Sequence, residues 1–265
     1  MSTYWTRREE ALAIRERAPW GQPCWIDLMT AEPKRARDFY LALFGWESGE
    51  ASREFGGYWM FLREGVPIAG AMPNTMGDAM TDRWGVHIAV QDAAATLERG
   101  REHGGNIVLP ITAIGELGAM AVLSDPGGAS IGLWAPQDFA GFRAINELNA
   151  PRWFELHTRR YEESLSFYRQ VFDWELRASN DEPGDRYSTA YDGESPFAGL
   201  MDAKGHFRAT DPSEWTIYFG VANVDESLDV VIAHGGRVLR SAQDSPYGRV
   251  ATVRDPSGTS FHLVQ

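Results

Sequence analysis

The chain is written twice. Pro23-Cys24-Trp25-Ile26-Asp27-Leu28-Met29-Thr30 matches Pro151-Arg152-Trp153-Phe154-Glu155-Leu156-His157-Thr158 at an offset of 128 residues. The same offset carries Phe39-Tyr40 onto Phe167-Tyr168, Phe44 onto Phe172 and Trp46 onto Trp174. Further along, Ala69-Gly70 pairs with Ala198-Gly199, Trp84 with Trp215, His103-Gly104-Gly105 with His234-Gly235-Gly236, and Asp125-Pro126 with Asp255-Pro256. The offset drifts from 128 to 131, as short loop insertions require. A repeat of this length means two copies of one folding unit rather than a solenoid of short modules. It divides the chain into an N-terminal extension (1–22), a first domain (23–136), a linker (137–150) and a second domain (151–265).

Each half has its own rhythm. Residues 24–30 alternate as a strand does. Ala36, Phe39, Tyr40, Leu43 and Phe44 recur at helical spacing, as do Ser164, Phe167, Tyr168, Val171 and Phe172. Gly45 can end the first of these helices. Tyr58–Leu62 and Ile68–Met72 read as strands around Glu64-Gly65. A second strand–helix series follows: Val86–Val90 as strand, Ala93–His103 as helix with a left-handed stop at Gly104-Gly105, and strands over Ile107–Leu109, Met120–Leu123 and Ile131–Trp134. Asp125-Pro126-Gly127-Gly128 has the residues of a type I turn, echoed by Asp255-Pro256-Ser257-Gly258. Each half is thus expected to hold two βαβββ units, an α+β arrangement.

These residues resemble the vicinal oxygen chelate superfamily, which includes glyoxalase I, bleomycin- and fosfomycin-resistance proteins and extradiol dioxygenases. The resemblance rests on the first strand, the helix ending in Phe-Tyr…Phe-Gly-Trp, the Ala-Gly strand and the Asp-Pro-x-Gly turn, and it covers nearly all of residues 23–265. It implies two tandem domains, each a curved mixed sheet enclosing a cleft that holds a small molecule, often beside a divalent metal.

The resemblance also places the metal ligands on three strands. Counting from Phe39 and Phe167 puts the first at Trp25 and Trp153, the second near Gly85 and Thr216, and the third at Gly132 and His262. Shifting the first two by two residues keeps the strand face. It gives Asp27, His87 and Gly132 in the first half, and Glu155, Tyr218 and His262 in the second. Neither frame supplies the three good donors that a divalent metal with an open position needs. No metal or other cofactor is therefore expected.

The remaining chemistry lies in the clefts. Trp25, Met29, Trp59, Phe61, Met72 and Met120 are expected to line the first, with Asp27 and His87 as an acid/base pair. Trp59 has no tryptophan counterpart in the second half, which marks it as a ligand contact. The second cleft is expected to carry Glu155, His262 and Tyr218 as catalytic groups, with Trp153 and His157 for binding. The second half is the better candidate for catalysis and the first for stacking a ligand. Three readings stay open: a metal-independent lyase, isomerase or natural-product tailoring enzyme; a bleomycin-resistance-like protein sequestering a planar compound; and a metal-dependent lyase or dioxygenase with an altered ligand set.

Composition narrows the setting. A net charge of −12 argues against nucleic acid and anionic membranes, and would attract a cationic compound. One cysteine, Cys24, excludes an intrachain disulfide and cysteine-cluster metal sites. Residues 6–17 are too charged for a signal sequence and read as a short helix stopped by Pro19, so a cytoplasmic monomer or homodimer is expected. His103 and His234 fall at helix ends and read as structural, and His206 as a solvated loop residue.

Overall fold

The computed structural model describes residues 16–76, 81–182, 185–205 and 212–265. Most of the charged segment 6–17 and His206 lie outside the described residues; Glu16 and Arg17 are not helical.

The first half runs β1 (Pro23–Thr30), α1 (Pro33–Phe44), β2 (Glu47–Ser48), β3 (Trp59–Arg63), β4 (Val66–Pro73), β5 (Arg83–Ala89), α2 (Ala93–Glu102), β6 (Asn106–Ile114), β7 (Gly118–Ser124) and β8 (Ser130–Pro136). The second repeats the order with β9 (Pro151–Thr158), α3 (Tyr161–Phe172), β10 (Glu175–Asn180), β11 (Tyr187–Asp192), β12 (Ser195–Asp202), β13 (Glu214–Gly220), α4 (Val224–Ala233), β14 (Arg237–Ser245), β15 (Gly248–Arg254) and β16 (Ser260–Val264). Each half forms one eight-stranded mixed sheet, ordered β2-β3-β4-β1-β5-β8-β7-β6 and β10-β11-β12-β9-β13-β16-β15-β14. The two βαβββ units of a half join where β1 runs antiparallel to β5, and β9 to β13.

Local chemistry sets the helix ends. Asp92 caps α2 by accepting from the Ala94 and Ala95 amides, and Asn223 caps α4. α1 stops at Gly45 with φ +69°; α3 stops at the equivalent Asp173, also left-handed at φ +58°. In both His-Gly-Gly motifs the first glycine takes the left-handed turn, with φ +88° at Gly104 and +84° at Gly235. The second glycine serves a different need. A methyl group on Gly105 would lie 2.9 Å from the ring of Phe167, and one on Gly236 3.0 Å from that of Phe39. Each turn therefore packs against a helix of the opposite half.

That exchange is the rule at the contact between halves. α1 packs on α4 and α2 on α3. The Trp84 indole N–H donates to the Tyr40 hydroxyl (3.1 Å), which donates to Asp255 of the other half (3.1 Å). In the mirror relation the Trp215 indole donates to Tyr168 (2.8 Å), which donates to Asp125 (3.4 Å). The second oxygen of each aspartate accepts the amide that closes its own turn, from Ala129 and from Thr259. Phe44, Phe219 and Phe261 fill the space around Tyr40. Trp46 and Trp174 also act in trans, donating to the backbone carbonyls of Asn149 and Gly21, just ahead of the opposite half's first strand.

Burial favours the neutral carboxyl at Asp125, whose pKa is raised to about 6 from 3.8. The native state then binds the proton more tightly than the unfolded chain. The stability contributed by this group is full below about pH 4 and is lost as pH rises through about 6. Asp125→Asn should remove that component from a series of urea melts between pH 4 and 7. Tyr168→Phe strips a donor from Asp125 and an acceptor from Trp215. It should destabilise the fold by about 1–3 kcal/mol in urea denaturation.

Candidate functional site

The outer face of the first sheet is set by register. Asp27 on β1 stands opposite Gly70 on β4 and Gly85 on β5; Met29 opposite Met72 and Arg83; Trp25 opposite His87; and His87 opposite Gly132 on β8. Directly paired residues share a face, so these side chains converge. Between them lies a cavity of about 110 Å³ whose lining includes Asp27, Met29, Met72, Arg83, His87 and Met120.

At its wall His87 Nε2 lies 2.9 Å from Asp27 Oδ2. The other carboxylate oxygen is held by two donors, the Tyr58 hydroxyl at 2.6 Å and the Trp25 indole at 3.0 Å; the same indole also donates to Tyr58 at 2.8 Å. Burial, then the Asp27 carboxylate, push the Tyr58 phenol well above its ordinary value, so it remains a donor. Nε2 faces the Asp27 carboxylate, the place of a donor. Nδ1 is buried and has no hydrogen-bond partner among the described residues. It lies directly over the backbone of Gly132, where an added methyl would be 2.2 Å away.

The second half repeats the anchor and changes what surrounds it. Tyr187 donates to Glu155 Oε2 (2.6 Å) and accepts from the Trp153 indole (3.1 Å). Glu155 Oε1 meets His157 Nε2 at 2.8 Å and the Tyr218 hydroxyl at 2.9 Å. Burial pushes the Glu155 carboxyl up, but its donors, His157 first and then Tyr187, outweigh that and hold it at about 2. His262 does not bond Glu155 as an acid/base pair would require. It stacks on Tyr218 at 4.2 Å and meets Thr252 Oγ1 at 3.1 Å. Burial, and next the neighbouring His157, lower its pKa to about 3, so the ring is neutral and a weak base.

The anchor is thus a repeated triad of indole, phenol and carboxylate. Tyr58 and Tyr187 were missed by sequence reasoning, although they stand at an offset of 129, inside the drift of the repeat. The glycines of the two Ala-Gly pairs make room for them: a methyl on Gly70 or Gly199 would lie 1.8 Å from the respective tyrosine oxygen.

Two expected contacts are corrected. Trp59 and Phe61 do not face the cleft. They pair with Ala71 and Ala69 on the core face, where Phe61 packs on Tyr40 and Trp46, and Arg37 lies over the Trp59 ring. The alternation of β3 is displaced by one residue from the expected phase, so Met60, opposite Gly70, takes the outer face. Trp25 reaches the site as the support of Asp27, its ring braced by Phe139 and Phe142 of the linker. Arg83 joins the lining because β5 begins three residues before the expected Val86.

The residues do not suit the metal that the resemblance implies. Both oxygens of Asp27 and both of Glu155 are engaged by protein donors. The His87 ring fills the volume that a third ligand at position 132 would need. Among the described residues no group of three or more His, Cys, Asp or Glu side chains is arranged to hold a metal ion.

The family model described as the glyoxalase/bleomycin resistance protein/dioxygenase superfamily matches residues 24–133 and again 151–263. The chain belongs to this superfamily. Among curated relatives, "Putative glyoxylase CFP32" of Mycobacterium tuberculosis is 31% identical over 250 residues, covering 92% of this chain and 95% of that protein. "Anthracycline biosynthesis protein DnrV" of Streptomyces peucetius is 29% identical over 265 residues, covering 92% and 93%. Of solved structures, the Mn(II)-bound glyoxalase of Novosphingobium aromaticivorans superposes with a TM-score of 0.64 at 11% identity, covering 92% of this chain and 82% of that one. The 2,3-dioxygenase LapB of Pseudomonas sp. KL28 gives 0.62 at 14%, covering 92% and 91%. At such identities these structures speak for the shared superfamily fold alone.

Gly132→Ala should drive the His87 ring from its place. The expected outcome is a loss of about 1–3 kcal/mol in stability. In histidine-selective NMR spectra the His87 ring signals should shift, while those of His157 and His262 stay in place.

Proposed function

We propose that this superfamily member is a metal-independent enzyme of small organic molecules, working by acid/base chemistry in the first cleft. The observation that carries the reading is the buried, unpartnered His87 Nδ1 beside an anchored Asp27, at the wall of a methionine-lined cavity. A carboxylate that fixes one imidazole nitrogen as donor leaves the other as a base, and it stabilises the imidazolium formed when that base takes a proton. Nδ1 lies against Gly132, so the ring must turn away from that residue for the base to meet a substrate group in the cavity. His87 would remove a proton from a carbon or oxygen acid of the substrate. Returning it elsewhere gives an isomerisation; returning it to a leaving group gives a lyase reaction.

The second half fits this work less well. Its carboxylate is closed in by three donors, and its neutral His262 is a weak base. We assign it the support of the first half. The anthracycline-biosynthesis names of two relatives favour tailoring of natural products as the setting. Among the described residues no helix is long and apolar enough to cross a membrane.

The test is a screen of aromatic and hydroxycarbonyl compounds for turnover by mass spectrometry, repeated after chelator treatment. With a substrate in hand, His87→Gln should lower kcat by about 100-fold or more, as loss of a general base does. Asp27→Asn should also lower it, while chelation leaves it unchanged. Turnover that survives both substitutions, or vanishes with chelator, would overturn the proposal. Tight binding with no product would make the protein a sequestering one.

A further inference from the structure

The same cleft holds a cation that the acid/base pair does not use. Arg83, Gly85 and His87 are alternate residues of β5 and stand on its outer face. At about 3.4 Å per residue, the backbone of Arg83 lies about 14 Å from that of His87. Gly85 between them leaves a bare floor: the one heavy atom near a methyl placed there is the Asp27 carbonyl oxygen, at an ordinary 3.7 Å. Among the described residues no carboxylate compensates Arg83, although burial of its guanidinium lowers its pKa. Methionines 29, 72 and 120 supply the rest of the lining, soft and apolar.

The corresponding strand of the second half sharpens the point. The core face of β5, with Trp84, Val86 and Ile88, is kept apolar in β13 by Trp215, Ile217 and Phe219. The outer face is not kept: Arg83, Gly85 and His87 become Glu214, Thr216 and Tyr218. The fold alone therefore does not require a cation at position 83, since the copy of the same strand carries an acid there.

A half-buried guanidinium with no protein partner among the described residues, facing a small, largely apolar cavity, is completed by an anionic oxygen from a ligand. We propose that the first cleft selects a flat, ring-sized group bearing an anionic oxygen, a carboxylate or an ionised phenol, with the oxygen on Arg83, the ring over Gly85 and the far edge toward His87. A cavity of about 110 Å³ suits one ring; a 150 Å³ apolar cavity is known to take benzene. The chain's net charge of −12 favours cations at long range; within the cleft the Asp27 carboxylate is taken up by its own donors, and Arg83 is the charged group left to meet a ligand. This inference rests on the cleft being the working site, and it names what that site accepts.

The test compares benzoate, benzamide and benzylammonium, three probes of one size, by NMR titration of the intact protein. Benzoate should bind at least 10-fold more tightly than benzamide, and benzylammonium more weakly still. Arg83→Gln should erase the preference of benzoate over benzamide and leave the affinity for benzamide unchanged. Gly85→Ala, which fits the fold, should weaken benzoate and benzamide together. Equal binding of benzoate and benzamide, a preference that survives Arg83→Gln, or no binding of benzoate at all would overturn the inference. Catalysis is read separately: His87→Gln should keep the benzoate preference. If turnover also survives His87→Gln, the acid/base reading fails while the anion site stands.

Discussion

The structure depends on two buried phenols that each serve both halves of the chain. Tyr40 and Tyr168 accept from a tryptophan of their own sheet and donate to the turn aspartate of the other. A buried polar chain of this kind stabilises only when every member is satisfied. Neither half can complete its own chain, because the acceptor for Tyr40 is Asp255 of the second half and the acceptor for Tyr168 is Asp125 of the first. The contact thereby sets how each helix sits on its sheet. That in turn fixes which face of the sheet is core and which is left to form a cleft.

The division of faces explains how the two copies could diverge. Residues turned toward the contact are held by aromatic packing from both sides, and the repeat remains legible there after the copies separated. Residues on the outer face answer only to what occupies their own cleft. The anchor of indole, phenol and carboxylate survives in both halves because it is internally satisfied. Around it, one half has grown a histidine dyad beside open space, and the other a packed cluster of Tyr218, His157 and His262.

Much of this was readable in the chain. The repeat and its turn signatures led to the fold, and period-two alternation from Trp25 correctly placed Asp27 and Met29 on one face, and Glu155 and His157 on its counterpart. Reading failed where both faces of a strand are equally apolar. In Tyr58-Trp59-Met60-Phe61 every residue suits a core, so alternation could not choose a phase, and the large aromatics drew the assignment to the wrong side. Arg83 was hidden because a charged residue beside a tryptophan reads as the end of a loop rather than the start of a strand. The buried pairing of Glu155 with Tyr187 and Tyr218 needed distances between strands far apart in sequence.

The crowding between His87 and residue 132 constrains what else this cleft can hold. Since the imidazole occupies the volume of any side chain at 132, a carboxylate or histidine cannot stand at that position while His87 keeps its present rotamer. A chain with His87 and Gly132 is therefore separated from one with a metal ligand at 132 by at least two coordinated changes. An intermediate that has made only one of them is either sterically strained or stripped of its dyad. The two arrangements of this cleft exclude one another: packing allows either the His87 ring in its present place or a side chain at 132, and not both.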